Sequence, residues 1–384
     1  MKKYVYLYIN GLSDLGSRMN LLAFTSLLLQ FPNSELWLMA FFLLRQIGAL
    51  LSSLVAGYIA DRFHRRHVMI ISDVFAGLSL VLVVIIPTPF TACVSILLLG
   101  VFYTAFSVCL QASIPDIYGD NQASEINMRF IRLTSLASMI GFAIGGILTE
   151  VAGYKVVLLL DAGTFFISAF VLLFMSWKES KIEAKELPIG MAEGFQSILK
   201  QRAIFLPTLL VCTMAIGVSG YNYGIPLFAQ TYMTNASTIH GFMWTALGVG
   251  SFIGSFLSKK IKGEPKKIYY CSVLLFIPVV NTLFLFTELW VVLFVLGLLG
   301  FIHAFEQWSH RNMIQQCESA IRGRLFGIQS LSMRVGFLIG FLLTPVLYEL
   351  FSLQIMVILM QLITLMILFY IGITLLLGKG NRTS

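Results

Sequence analysis

Long apolar segments separated by short polar ones recur along the whole chain. Most are close to the roughly 20 residues that an α-helix needs to cross the hydrocarbon core of a bilayer. Alternating segments of about 10 residues, typical of membrane β-strands, are not found in the sequence. The pattern predicts twelve membrane-spanning helices at residues 5–30, 36–60, 67–87, 90–113, 131–150, 154–176, 204–231, 237–258, 268–286, 289–311, 324–348 and 353–377.

The composition supports the same fold class. The chain has 384 residues, of which 58% are hydrophobic and 11% are charged, and its mean hydropathy is +0.87. A water-soluble protein must keep a mixed, charged surface, and this composition does not supply one. We therefore expect an all-α, multi-pass membrane protein.

The basic residues predict how the chain is oriented. If the N-terminus is cytoplasmic, all 26 Lys and Arg residues but four fall on the cytoplasmic side; the exceptions are Arg18, Arg45 and Arg334 inside spans and Lys155 outside. Cytoplasmic loops of membrane proteins carry this excess of positive charge. The net charge of +8 then faces an anionic inner leaflet. We expect both termini to be cytoplasmic.

Two halves of the chain resemble each other. GFAIGGILTE at 141–150 returns as GFLIGFLLTP at 336–345, and GYIADR at 57–62 returns more weakly as GSFLSK at 254–259. The polar stretch between spans six and seven suits a linker. We predict a six-helix bundle at 1–176, a cytoplasmic linker at 177–203 and a second bundle at 204–384, with a short surface helix near the end of the linker.

Ionisable residues inside spans are candidates for function, because each costs about 2.5–3.5 kcal/mol to insert. Asp14 and Glu306 are candidate proton-coupling acids. Asp14 could instead form an ion pair with Arg18 or Arg45, and Glu306 could cap its helix. The arginines favour an anionic or amphipathic substrate. The candidate coupling or substrate residues are Asp14, Arg18, Arg45, His303, Glu306 and Arg334.

The sequence contains no motif for nucleotide or zinc binding. The sequence has no phosphate-binding P-loop, and its His and Cys residues lack the spacing of a zinc site. The basic stretch KKIKGEPKK at 259–267 is a predicted cytoplasmic loop. We therefore expect no enzyme activity, no cofactor or metal and no nucleic-acid partner.

The stretch GYIADRFHRRH at 57–67 concentrates charge directly after an apolar span. It resembles the loop between the second and third helices of the major facilitator superfamily, G-x-[IL]-A-D-R-[FY]-x-R-R, with His64 at a position where that family usually has glycine. The resemblance implies a cytoplasmic gate latch that favours the outward-facing state. Its residues are Gly57, Asp61, Arg62, Arg65 and Arg66.

Three further stretches resemble the macrolide-efflux and enterobactin-exporter branch: IPDIYGDNQASEIN at 114–127, DAGTFFISAF at 161–170 and IRGRLFGIQS at 321–330. GFAIGG resembles the glycine motif associated with antiporters, with Phe142 in place of its usual proline. This motif and its repeat predict helix-packing glycines at Gly141, Gly145, Gly146, Gly336 and Gly340.

The resemblance implies a secondary active transporter with twelve helices in two six-helix pseudo-repeats. We expect a monomer in the inner or plasma membrane of a bacterium. It would export a hydrophobic or amphipathic small molecule, such as a drug, macrolide or siderophore, with protons as coupling ion and lipids as neighbours. The alternatives are a lysophospholipid flippase or an importer of the same fold. A non-transporting membrane sensor is a remote alternative.

Overall fold

The chain forms long α-helices joined by short turns. The computed structural model describes residues 2–175, 177, 202–258, 261, 263–315 and 319–380. No strand occurs within these ranges. The helices are α1 (Lys2–Leu28), α2 (Ser34–Arg62), α3 (Arg65–Ile85), α4 (Pro89–Tyr118), α5 (Asp120–Ala152), α6 (Tyr154–Phe174), α7 (Arg202–Tyr232), α8 (Ala236–Ser258), α9 (Pro265–Asn281), α10 (Leu289–Gln315), α11 (Ser319–Leu350) and α12 (Leu353–Gly380).

The predicted all-α membrane fold class is confirmed. In the part of the chain that is described, ten helices are long and apolar enough to cross a membrane. The other two are α1, which carries Asn10, Asp14, Arg18 and Asn20 within its apolar sequence, and α9, which has 17 residues. Polar residues inside α1 lower its hydropathy without interrupting its helix.

Several helices extend past their predicted spans, and α4 and α5 together nearly close one predicted gap. α4 continues to Tyr118 and α5 begins at Asp120, so the residues between the predicted spans at 113 and 131 are largely helical. Gly119 separates the two helices with φ of 91°, a value that glycine adopts without steric cost. The polar residues here therefore lie on helix that continues beyond the apolar span.

The helices group into two compact units. One comprises the described residues of Met1–Leu187 and Ala229–Thr245, and the other those of Pro188–Phe228 and Ala246–Ser384. In the first unit α1 packs on α5 and α6, α2 on α4, and α3 on α4 and α6. A core that includes Met69, Cys109, Ile117 and Leu172 fills the space between α3, α4 and α6. In the second unit α9 packs on α10 and α12.

Glycines mark the same helix crossings in each unit. In the first, a Cβ atom at Gly100 of α4 would lie 2.7 Å from the carbonyl oxygen of Arg45 in α2. In the second, a Cβ at Gly300 of α10 would overlap the carbonyl oxygen of Leu247 in α8. Close backbone approach therefore joins the second and fourth helices of both predicted halves.

The predicted linker and surface helix fall mainly outside the described residues. Of the range 177–203, only 177, 202 and 203 are described. The division into bundles at 1–176 and 204–384 stays a prediction.

Candidate functional site

The turn between α2 and α3 places Arg65 against α4. The guanidinium donates to the carbonyl oxygen of Ala112 at 2.9 Å and to the carboxylate of Asp116 at 3.1 Å. Both side chains of the ion pair are buried, at 6% and 8% exposure. A buried, hydrogen-bonded ion pair with this geometry is costly to break.

The neighbouring Arg66 takes a different partner. Its side chain donates to the carbonyl oxygens of Leu172 and Leu173, the former at 2.9 Å. These carbonyls belong to the last turn of α6, where the helix dipole favours a cation. The two arginines thus connect the start of α3 to α4 and to α6.

The remaining residues of the predicted latch are less fully described. His64 precedes α3 with φ of −60° and ψ of 111°, so the turn does not require glycine there. Arg62 is the last residue of α2 and its side chain is exposed. Gly57 and Asp61 lie within α2, and the side chain of Asp61 is not among those that the structure describes.

A second group lies in the middle of the first unit, around Asp14 of α1. Thr134 of α5 donates to one carboxylate oxygen at 2.7 Å, and Tyr103 of α4 donates to the other at 3.2 Å. The alternative of an ion pair between Asp14 and Arg18 or Arg45 is not found among the described contacts. Hydroxyl groups rather than arginines hold this carboxylate.

Arg18 and Arg45 lie near this group without a carboxylate bound to either in the described part of the chain. The Nε atom of Arg18 is buried and makes no hydrogen bond with a described residue. The two guanidinium groups lie close to each other and to Tyr103, and the carboxylate of Asp161 is near enough to act electrostatically on Arg45. The Tyr103 side chain is 41% exposed.

The glycines of the antiporter-like motif contact two different helices. A Cβ at Gly141 would lie 2.9 Å from the Cβ of Arg18, and one at Gly145 would lie 2.7 Å from the Cα of Met19. Both glycines therefore face α1. Gly146 faces α8 instead, where a Cβ would lie 2.6 Å from the carbonyl oxygen of Ser237.

The repeated glycines make the equivalent contact in the second unit. A Cβ at Gly336 would lie 2.8 Å from the Cβ of Ala215, and one at Gly340 would lie 3.0 Å from the Cα of Ile216. Both contacts are with α7. The fifth helix of each predicted half thus approaches the first through paired glycines.

The candidates of α10 lie together in the second unit. His303 Nδ1 is 3.3 Å from the carboxylate of Glu306, and His303 Nε2 is 2.7 Å from the amide nitrogen of Gln307. Glu306 is 8% exposed. The imidazole and the carboxylate are within ion-pair distance, but His303 Nδ1 makes no hydrogen bond with a described residue. Arg334 of α11 is partly buried, and it makes no hydrogen bond or ion pair with a described residue.

Sequence reasoning assigned no role to four residues that these contacts involve: Asp116, Tyr103, Thr134 and His240. Asp116 lies in the stretch 114–127, which carried part of the resemblance, and its acidic side chain near a span end was a usable signal. Tyr103 and Thr134 are ordinary residues of apolar helices. Only the packing of α4 and α5 against α1 brings them to Asp14.

Long apolar helices around buried charged and polar groups define the class: a multi-pass membrane protein with the architecture of a transporter. The family model described as Major Facilitator Superfamily matches residues 8–316. The chain therefore belongs to the major facilitator superfamily, as its α2–α3 turn predicts.

Known relatives and a solved structure agree with this family. The enterobactin exporter EntS of Shigella boydii is 27% identical over 81% of this chain and 77% of its own length. BacE of Bacillus subtilis, provisionally named a bacilysin exporter, is 24% identical over 75% of this chain and 74% of its own. The crystal structure of nucleoside transporter NupG superposes with a TM-score of 0.73 at 17% identity, covering 96% of this chain and 98% of that one.

Proposed function

We propose that this chain exports an amphipathic small molecule that carries negative charge. The observation that carries the proposal is the pair Arg18 and Arg45, which lie within the helices of the first unit without a described carboxylate partner. The relatives EntS and BacE, whose names describe export of small molecules, support the direction of transport.

Electrostatics favours an anion at this group. A charged side chain inside a membrane costs about 2.5–3.5 kcal/mol unless an opposite charge or a polar partner compensates it. The carboxylate of Asp14 accepts hydrogen bonds from Thr134 and Tyr103. An anionic group of a substrate would add negative charge beside Arg18 and Arg45 and could accept charge-assisted hydrogen bonds from both.

The transport mechanism belongs to the same proposal. We infer two six-helix bundles, 1–176 and 204–384, that alternate access to the site in a bacterial inner membrane, as a monomer with cytoplasmic termini. The matching glycine crossings of the two units support this repeat. Asp61 and the arginines of its loop, Arg62, Arg65 and Arg66, would form the cytoplasmic gate latch.

Protons are the proposed coupling ion. Glu306 is a buried acid with His303 beside it, so a proton gained by the pair changes the charge of the second unit within the membrane. Siderophores, macrolides and other drugs are the substrate classes to be tested.

The test is uptake into inside-out membrane vesicles with an acidic interior. The panel contains catecholate siderophores as anions, macrolides and dyes as cationic or neutral compounds, and lysolipids. We expect uncoupler-sensitive accumulation of an anionic member. Arg18→Gln and Arg45→Gln should each lower its uptake by about tenfold, the value expected for loss of a hydrogen bond to a charged group.

Lys155→Gln is the matched control, because it removes one exposed positive charge in the first turn of α6, on a different helix from Arg18 and Arg45. Uptake that is blind to substrate charge and to both arginine variants would contradict the proposal. Accumulation of lysolipids alone would indicate a lipid transporter of the same fold.

A further inference from the structure

The first half of α8 belongs to the first unit and packs on α1 and α5. Gly146 of α5 and Gly241 of α8 meet at this crossing, where a Cβ at Gly146 would lie 3.0 Å from the Cα of Gly241. Thr245 donates to the carbonyl oxygen of Met139 at 3.2 Å. We call the packing of Ser237–Thr245 on α1 and α5 the α8 contact.

His240 is buried in the α8 contact, at 3% exposure. The indole nitrogen of Trp244 lies 2.9 Å from His240 Nε2, and Thr25 Oγ1 of α1 lies 3.4 Å from His240 Nδ1. Because an indole N–H can only donate, Nε2 must be the acceptor and the neutral ring carries its proton on Nδ1. Thr25 donates its own hydroxyl proton to a backbone carbonyl, so its oxygen can accept this N–H.

A second proton on His240 is incompatible with this arrangement. It would bind at Nε2, where the Trp244 N–H already points at 2.9 Å, and two donors would then face each other. The indole stacks on Phe142 of α5, with ring centroids 5.4 Å apart. Moving the indole away from His240 therefore disturbs the packing of α8 on α5 as well as on α1.

The charged groups around His240 do not favour an imidazolium. On α5 the charge in this part of the helix is Glu150, whose carboxylate is already bound to the Ser237 amide at 2.8 Å. On α1 the charges are Lys2, Lys3, Asp14 and Arg18. The nearest of them in sequence to Thr25 is Arg18, seven residues or about 10 Å away along the helix. The end of α7 within this unit, Ala229–Tyr232, carries no charge. His240 itself lies in the first turns of α8, where the helix dipole disfavours a cation.

We propose that His240 is a proton-responsive residue whose protonation separates the first half of α8 from α1 and α5. Since binding of the proton and formation of the α8 contact exclude each other, the contact is stable at neutral pH and is lost as the pH falls. The proposal rests on the proposed function only for orientation, which places this end of the helices outside the cytoplasm. External acid then holds the α8 contact open and slows the transport cycle.

The test is a cysteine cross-link across the α8 contact. The hydroxyl oxygens of Ser26 and Ser237 are 3.4 Å apart, so Ser26→Cys with Ser237→Cys should form a disulfide when the contact is closed. The pair is introduced into a full-length chain whose natural cysteines are replaced. Oxidative cross-linking is measured in proteoliposomes between about pH 8 and about pH 5.

His240→Gln is the matched control, because its amide oxygen can accept the indole N–H but does not titrate in this range. Both chains share the pH dependence of thiol ionisation. We expect the His240 chain to lose at least about threefold more cross-linking at acid pH than the His240→Gln chain. Parallel profiles would overturn the proposal.

Trp244→Phe provides a second variant if His240→Gln does not fold. It keeps the imidazole and the aromatic packing but removes the N–H that opposes protonation, so we expect a smaller fall in cross-linking at acid pH. An unchanged fall would also contradict the proposal. Neither measurement depends on substrate or transport, so a failure of the export proposal is recognised separately.

Discussion

Arg65 and Arg66 are adjacent in the sequence but act on different helices. Arg65 forms a buried ion pair with Asp116 of α4, whereas Arg66 binds carbonyl oxygens at the end of α6. The first contact depends on two opposite charges, and the second depends on the helix dipole. Both hold the start of α3 in place within the first unit, so part of this signature loop has a structural role.

The ion pair yields a prediction for stability. Arg65→Gln and Asp116→Asn should each lower the free energy of unfolding by about 3–5 kcal/mol, because each breaks a buried, hydrogen-bonded ion pair. The measurement is the fraction of folded protein after heating in detergent, read by size-exclusion chromatography.

The double variant Arg65→Gln with Asp116→Asn is the control. It removes both charges, so it should lose less stability than the sum of the single variants. Strictly additive losses would show that the two side chains do not depend on each other.

Helix crossings through glycine are the main packing device between elements. Gly141 and Gly145 bring α5 onto α1, and Gly336 and Gly340 bring α11 onto α7. Without a hydrophobic driving force between helices in lipid, close backbone packing supplies much of the association. The crossings therefore position Arg18, which lies at the α1–α5 contact.

Gly145→Ala should destabilise the protein by about 1–3 kcal/mol, because the added methyl group would lie 2.7 Å from the Cα of Met19. Gly163→Ala in α6 is the matched control, since nothing lies within 4 Å of the Cβ position there. The control should be neutral or more stable by up to about 1 kcal/mol, the difference in helix propensity. Thermal inactivation of both variants in the same detergent measures the difference, and equal losses would refute the crossing.

Over the whole molecule, the functional candidates divide between the two units. The arginine pair Arg18 and Arg45 lies in the first, and the acid–imidazole pair Glu306 and His303 lies in the second. A transporter needs substrate binding and ion binding to be linked energetically, and alternating access supplies such a link. Coupling and substrate binding can then be lost separately by substitution.

Glu306→Gln should abolish proton-driven accumulation but retain exchange of substrate across vesicles at equal concentration on both sides. The amide of Gln at position 306 cannot bind and release a proton, so this position can no longer carry a proton between the two states of the transport cycle. Comparing accumulation with exchange in the same vesicles measures this. Loss of both activities, with the protein present and folded, would assign Glu306 to structure instead.

Much of the fold could be predicted from the pattern of apolar residues. Helix spans follow from length and hydropathy, because a bilayer leaves few other ways to satisfy the backbone. The ends of α4 and α5 were missed because helices can continue beyond the membrane, where polar side chains no longer indicate a loop. The charged candidates were found because a charged residue within a long apolar segment is easily recognised in the sequence.

The sequence by itself determined the membrane fold class, the family signature and the set of intramembrane charges, since each follows from residue type and local spacing. Only the tertiary structure decided which charges meet. In the structure Asp14 accepts hydrogen bonds from Thr134 and Tyr103 rather than pairing with an arginine, and His240 is buried between Thr25 and Trp244. These contacts join residues more than 80 positions apart or depend on the exact packing of neighbouring turns, and spacing along one helix cannot specify how several helices pack.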